Sequence, residues 1–416
     1  MWRQLLGIGV MLKQQWTSCP AQEKSFSAGQ LRLTAKCPML TILSIFGTRP
    51  EAIKIAPVIQ ELNKHPLQIR SVICVTAQHR QMLDQVLELF DIHPHYDLDL
   101  MNSDQSLTQI TLAIIRELDP VVQEVRPDWI LVQGDTTTVV MASLIAFYHR
   151  VKIGHIEAGL RTHNKYQPFP EEMYRRITDA LSDIYFSPTQ WARQNLLKEG
   201  VPDNSIWVTG NTVIDALLQV ATRNYDWNDG PLSHIPQDKR LILVTAHRRE
   251  SFGEPLRNVM LAIHDLAQRY KRDCHFVFPV HLNPNVQTAV NDNLGDQDNI
   301  SLITHLPYLP LVHLMKRSTL ILTDSGGIQE EAPSLGVPVL VCRNTTERPE
   351  AIEAGVAKLV GTDCKIIVRE VSHLLDDDEA RTRMVKTTNP FGDGRAAGRI
   401  VDILLNDHIA NVNRKV

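Results

Sequence analysis

From Leu40 onward the chain alternates short aliphatic runs with longer amphipathic stretches. The runs predict strands at Leu40–Phe46, Arg70–Val75, Trp129–Val132, Val151–His155, Ile184–Phe186 and Ile206–Val208. A second series follows at Arg240–Val244, His275–Phe278, Ser301–Ile303, Leu320–Leu322 and Val337–Val341. Between them, spacing near 3.6 predicts helices such as Pro57–Lys64, Gln81–Phe90, Leu107–Val125, Val213–Thr222 and Pro255–Tyr270. Strands that are apolar throughout, alternating with helices, belong to parallel sheets covered on both faces. The pattern therefore predicts two α/β halves.

At 416 residues the chain is long for one core, and two domains are the natural expectation. The polar stretch Asn224–Gln237 and the turn Thr209–Thr212 both suit a junction, and the boundary is placed near residue 209. The expected plan is an extension over 1–38, a first domain over 39–208 joined by 395–416, and a second domain over 209–394. Leu5–Leu12 is too short to span a bilayer, which takes about 20 residues. Met39 stands directly before the first clear strand. Residues 1–38 are expected to pack poorly, as the product of a targeting peptide or, preferably, of a start placed upstream.

Composition narrows the class. Hydrophobic residues at 43% and charged residues at 22% describe an ordinary soluble globular protein, and a net charge of −4 points to neither nucleic acid nor a membrane surface. The six cysteines show no metal or CxxC spacing. A reducing, cytoplasmic setting is expected. Neither half carries GxGxxG after its first strand, so no nicotinamide or flavin cofactor is indicated.

In open parallel sheets, ligands bind outside the carboxyl ends of the strands. Seven predicted strand exits carry polar or charged residues: Gly47–Glu51, Thr76–Arg80, Gly134–Thr138, His155–Arg161, Thr245–Glu250, Val280–Pro284 and Asp324–Gly327. The turn with Ser325, Gly326 and Gly327 runs from an apolar strand into a helix start, which aims backbone N–H groups at one spot and suits a phosphate. The same turn also reads as a helix cap supplied by Asp324 or Ser325. Arg49 and Lys54 suit a diphosphate by charge, and Glu331 lies one turn beyond Ser325, placed for ribose hydroxyls. Asp135 reads as a site residue or an N-cap, while Glu157 follows its strand too closely to reach solvent easily. Glu171 and Glu172 sit where acids favour a helix start in any case. His247 and His281 end matching strands. The acids and histidines come from separate exits, so no metal-ligand spacing results.

Taken in order, GTRPEAIK at Gly47–Lys54, GDTTT at Gly134–Thr138, HIEAGLRT at His155–Thr162, PEE at Pro170–Glu172, HRRES at His247–Ser251, PVHLNP at Pro279–Pro284 and DSGGIQEEAPSLGVPVL at Asp324–Leu340 form a specific set. From about Met39 to Arg399 the chain resembles the non-hydrolysing, bacterial-type UDP-N-acetylglucosamine 2-epimerases. The resemblance implies a GT-B-type fold, two Rossmann-like domains facing across a cleft, with a last helix near Arg395–Asn406 crossing back to the first. It implies interconversion of UDP-N-acetylglucosamine and UDP-N-acetylmannosamine through an enzyme-bound 2-acetamidoglucal. No metal or redox cofactor is expected. It further implies Asp135, Glu157 and Glu171 as acid/base groups, with His247 assisting at the leaving phosphate. Arg49, Lys54, Ser325, Gly326, Gly327 and Glu331 would hold substrate and UDP. A second UDP-N-acetylglucosamine would act as activator on Gln78, Glu172, Arg248 and His281. A homodimer and a role in supplying bacterial surface polysaccharide are implied as well. Rival readings are the hydrolysing relative, which in animals usually carries a fused kinase domain, a GT-B glycosyltransferase, and an idle sugar-nucleotide sensor. Three interior carboxylates speak against transfer, and the presence of all four groups speaks against the sensor.

Overall fold

The computed structural model describes residues 38–76, 80–100, 105–248, 251–281, 283–295 and 297–415. Two all-parallel sheets organise them. The first has seven strands, β1 (Leu40–Phe46), β2 (Ile69–Val75), β3 (Tyr96–Asp97), β4 (Trp129–Gln133), β5 (Lys152–Ile156), β6 (Ile184–Ser187) and β7 (Ile206–Val208), in the order 3-2-1-4-5-6-7. The second has six, β8 (Arg240–Thr245), β9 (Cys274–Pro279), β10 (Ile300–Ile303), β11 (Ser318–Thr323), β12 (Val339–Val341) and β13 (Ala357–Leu359), in the order 10-9-8-11-12-13. Strand order reverses between β1 and β4 in one sheet and between β8 and β11 in the other. The chain leaves both reversal points at the strand carboxyl ends, where a crevice forms. This is the GT-B-type arrangement, two Rossmann-like lobes facing across a cleft.

The burial pattern explains the strands. Ile42, Leu43, Ile45 and Phe46 of β1 are fully buried although they point to opposite faces, so both faces are covered by helices. At Gly154 in β5 a Cβ would lie 2.7 Å from Leu131 Cδ2 of β4, so no larger residue fits without moving the neighbouring strand's side chain. Cys74 and Cys274 are buried free thiols inside β2 and β9.

One apolar cluster joins the lobes. It runs from Leu40 and Ile59 through Val213, Ile214 and Leu217 of the helix Thr212–Ala221 to Val312 and Ile321. The last helix, Ala396–Lys415, returns to the first lobe and adds Ile400, Val401 and Leu404 to that cluster. Its start is fixed by Asp215, which accepts from Ala396 N and Ala397 N at 3.2 and 2.9 Å. Further along, Lys152 of β5 pairs with Asp407 at 2.8 Å.

Four elements differ from the expected pattern. The first helix begins at Arg49, ahead of Pro57, because Thr48 and Glu51 form a capping box and Pro50 occupies its first turn. Pro57 lies inside that helix. Strands β3 and β13 span two and three residues, too short for an alternation to show. The last helix continues past Asn406 to Lys415, through a polar stretch in which apolar spacing fades.

Candidate active site

The first lobe supplies the floor of the cleft. Glu51 in the first helix accepts from Gly47 N and Thr48 N, each at 2.7 Å, and from the Thr136 hydroxyl. Burial raises its pKa, opposed by those hydrogen bonds. The contact to Thr136 ties the exit of β1 to the exit of β4.

Glu157 follows β5 directly and has φ of +71°. A left-handed backbone at a residue with a Cβ costs about 1–2 kcal/mol, so the surrounding contacts must hold it there. Glu157 N and Ala158 N both donate to Phe186 O of β6, at 3.0 and 3.2 Å. The Glu157 carboxylate is buried and receives Lys54 Nζ on both oxygens, at 2.6 and 2.7 Å, together with the amides of Gln133 and Asn211. Burial pushes its pKa up, but Lys54, then Arg348 and Arg175, hold it below the ordinary carboxylate value. Burial lowers the proton affinity of Lys54, and Glu157 with Glu330 reverses that.

The Asn211 amide also donates to Glu330 Oε2 at 2.9 Å, and Glu330 accepts from Arg348 Nε. Lys54, Glu157, Glu330 and Arg348 thus form a charge-balanced buried set spanning both lobes. Arg348 is held strongly protonated despite burial, by Glu330 and then Glu157. Burial raises the pKa of Glu330, against the pull of Arg348 and Lys54.

Asp135 lies beside this set. The helix N-cap is Thr136, so Asp135 does not cap; it accepts from Arg175, at 2.8 Å from Nε and 2.7 Å from Nη2. Arg175 Nη1 also meets Glu172 at 3.3 Å. Glu172 is buried and receives Thr162 N and His163 N, at 2.9 and 3.1 Å, which fixes the segment after β5. Glu171 opens the helix Glu171–Leu181, and its Oε2 is buried with no hydrogen-bond partner among the described residues. A carboxylate oxygen kept from water and left unbonded is poised to take a proton from, or a bond to, a guest.

The second lobe supplies the opposite wall. Asp324 does not cap the following helix; its Oδ2 accepts from His247 N and Arg248 N, at 2.7 and 2.8 Å, joining the exits of β11 and β8. Ser325 is the N-cap of the short helix Gly326–Glu331 and makes no side-chain cap. The His247 ring stacks on His281, centroids 5.6 Å apart and planes 15° from parallel. Arg248 faces Glu347 at 3.6 Å. Glu331 accepts from Tyr308 Oη at 2.8 Å, and burial pushes its carboxyl up to about 7. Arg49 reaches across from the first lobe to His305 Nε2 at 2.6 Å and to Leu306 O at 3.2 Å.

The structure therefore brings Asp135 and Glu172 together through Arg175, whose charge also acts on Glu157, and it brings His247, Arg248 and the Ser325 turn together through Asp324. Lys54 stands on Glu157 rather than over that turn. Gln78 lies outside the described residues. Sequence reading missed Glu51, Gln133, Arg175, Asn211, His305, Glu330 and Arg348. Gln133 and Asn211 carry the same strand-exit signal as the others, Arg175 lies one turn after Glu171, and Arg348 sits in an irregular stretch without a pattern.

The chain matches the family model described as UDP-N-acetylglucosamine 2-epimerase over residues 60–405. It is 52% identical to the UDP-N-acetylglucosamine 2-epimerase of Escherichia coli K12 over 89% of this chain and all of that one. To the Bacillus subtilis protein of the same name it is 50% identical over 88% of this chain and 95% of that one. Among solved structures, it resembles the UDP-GlcNAc 2-epimerase of Neisseria meningitidis bound to UDP-GlcNAc, with TM-score 0.80, 49% identity, and 88% and 100% of the two chains covered. A glycosyltransferase from Rickettsia africae, at 14% identity and TM-score 0.58 over 90% and 100% of the two chains, shares the fold alone. Fold and motif set together with these likenesses place the chain in the UDP-N-acetylglucosamine 2-epimerase family.

Proposed function

We propose that this protein interconverts UDP-N-acetylglucosamine and UDP-N-acetylmannosamine by elimination and re-addition of UDP, without net hydrolysis. The observation that carries the reading is Glu157, an ionised carboxylate buried at the end of β5, with Asp135 at the exit of the neighbouring strand β4 and with a Glu171 oxygen that is buried and has no hydrogen-bond partner among the described residues. A carboxylate takes the C2 proton. The C2–H electron pair becomes the C1=C2 bond, and the C1–O pair leaves with the β-phosphate oxygen. In the return step that oxygen attacks C1, and a second carboxyl group delivers a proton to the other face of C2. Two faces require more than one acid/base group.

Departure of UDP is favoured where its charge is already matched. Arg49, Lys54, His247 and the N–H groups of the Ser325–Gly327 turn would supply that match, with Glu331 on the ribose. A glycosyltransferase would need no proton exchange at C2, and so no such carboxylate set. The same proposal includes a second UDP-N-acetylglucosamine as activator at Gln78, Glu172, Arg248 and His281, a homodimer, a cytoplasmic setting and supply of surface-polysaccharide precursor. Among the described residues no helix is long and apolar enough to cross a membrane.

Following UDP-N-acetylglucosamine by phosphorus and proton NMR tests the reading. UDP-N-acetylmannosamine is expected to appear and level off while free UDP stays minor. Accumulation of UDP with equal N-acetylmannosamine would identify a hydrolase, and no conversion would overturn the epimerase reading.

A further inference from the structure

His155 is the penultimate residue of β5 and is fully buried. Its Nδ1 lies 2.6 Å from Asp179 Oδ1, and its Nε2 lies 2.8 Å from Gly134 O. A carbonyl oxygen has no hydrogen to give. Asp179 has none either: burial raises its pKa, but His155 and Arg161 hold it below the ordinary value. Its Oδ2 already accepts from Arg161 Nη2 at 2.7 Å and Gly159 N at 3.3 Å. Both ring nitrogens of His155 therefore donate.

The ring braces three elements. Gly134 is the residue after β4, with φ of +84°, a region that residues with side chains rarely adopt. Asp135 follows it directly. Glu157 stands two residues after His155 on the same strand exit. Asp179 belongs to the helix that opens with Glu171 and carries Arg175, the clamp on Asp135. Asp135 directly follows a His155 contact, Glu157 stands two residues from the ring, and Arg175, the clamp on Asp135, lies one helical turn before Asp179.

We propose that His155 is a positioning residue for proton transfer, whose bond to the Gly134 carbonyl sets Asp135 against Glu157. The inference rests on the acid/base reading above. A buried ion pair with only a packing role would predict the same burial, so the test must separate the two ring contacts.

Asparagine places its amide where Nδ1 stands and can keep the Asp179 bond. Glutamine reaches the position of Nε2 and can keep the Gly134 bond. His155→Gln is expected to retain roughly 10-fold more kcat than His155→Asn, because misplacement of reacting groups by an ångström costs that much or more. KM and UDP affinity are expected to stay within about twofold of one another in the two variants, since the brace touches proton transfer rather than binding. Equal kcat in both, or losses that merely follow melting temperature, would overturn the proposal. Should either variant fold poorly, a neutron structure of the wild-type protein decides. Hydrogen on both Nδ1 and Nε2 supports the brace, and a bare Nε2 facing Gly134 overturns it. If Asp135→Asn, Glu157→Gln and Glu171→Gln all keep near-normal turnover, the acid/base reading is what fails. If Asp135→Asn loses turnover while the two His155 variants do not differ, the brace alone fails.

Discussion

Replacing Glu157 by glutamine is expected to lower turnover by roughly 100-fold or more, the usual scale for an acid/base group. Asp135→Asn and Glu171→Gln are expected to fall at least as far on the same scale. The three should differ in stability. Glu157 is buried against Lys54, so its glutamine variant leaves an ammonium group facing a neutral amide and loses stability as well. Asp135 is partly open to solvent and bound mainly by Arg175, so its loss is smaller. Glu171 has an oxygen without a hydrogen-bond partner among the described residues, so glutamine there is expected to leave the melting temperature nearly unchanged. UDP affinity, measured by calorimetry, should change far less than turnover in all three, because these groups act on the sugar. Near-normal turnover in all three would show that proton transfer is assigned to the wrong residues.

The second large effect is on stability. Arg348→Met removes the guanidinium from Glu330, whose side chain is only 1% exposed. Removing one partner of a buried ion pair typically costs about 3–5 kcal/mol, because the remaining charge stays desolvated. The Asn211 amide still donates to Glu330, which places the expected loss at the lower end, about 3 kcal/mol. Denaturant unfolding measures it. The double variant Arg348→Met with Glu330→Gln is expected to recover most of the loss, since no buried charge is then left without a partner. A single-variant loss below about 1 kcal/mol, the value of an exposed pair, would show that Glu330 does not depend on Arg348 as its buried partner.

Parallel strands were the most legible part of the chain. An apolar run buried on both faces, such as Leu40–Phe46, has no other easy home, and every long run became a strand within a residue or two. The two short strands were not legible, because two or three residues carry no period. The first helix was misread at Pro57. Its true start lies in the pairing of Thr48 with Glu51, a side-chain cap that apolar spacing does not register. Site residues were legible where a strand ends, since a polar group there faces the crevice whatever its partner. Partners were not legible. Glu157 could be placed at an exit, but Lys54, Gln133 and Asn211 come to it from three separate elements. Arg348 arrives from the irregular segment after β12, and only the packing of that segment on the short helix after β11 puts it beside Glu330. Asp324 and Asp135 each looked like a helix cap. The structure gives both other partners, the neighbouring strand exit for Asp324 and Arg175 for Asp135.

The central claim is that the C2 hydrogen leaves the sugar as a proton and that C2 is reprotonated by a carboxyl group whose proton exchanges with solvent. Incubating the protein with UDP-N-acetylglucosamine in deuterated water, and reading C2 of both recovered sugar nucleotides by proton NMR, tests it directly. The account predicts deuterium at C2 of UDP-N-acetylmannosamine from the first turnovers, and at C2 of UDP-N-acetylglucosamine as the pool cycles. Retention of the original hydrogen at C2 through many turnovers would contradict it.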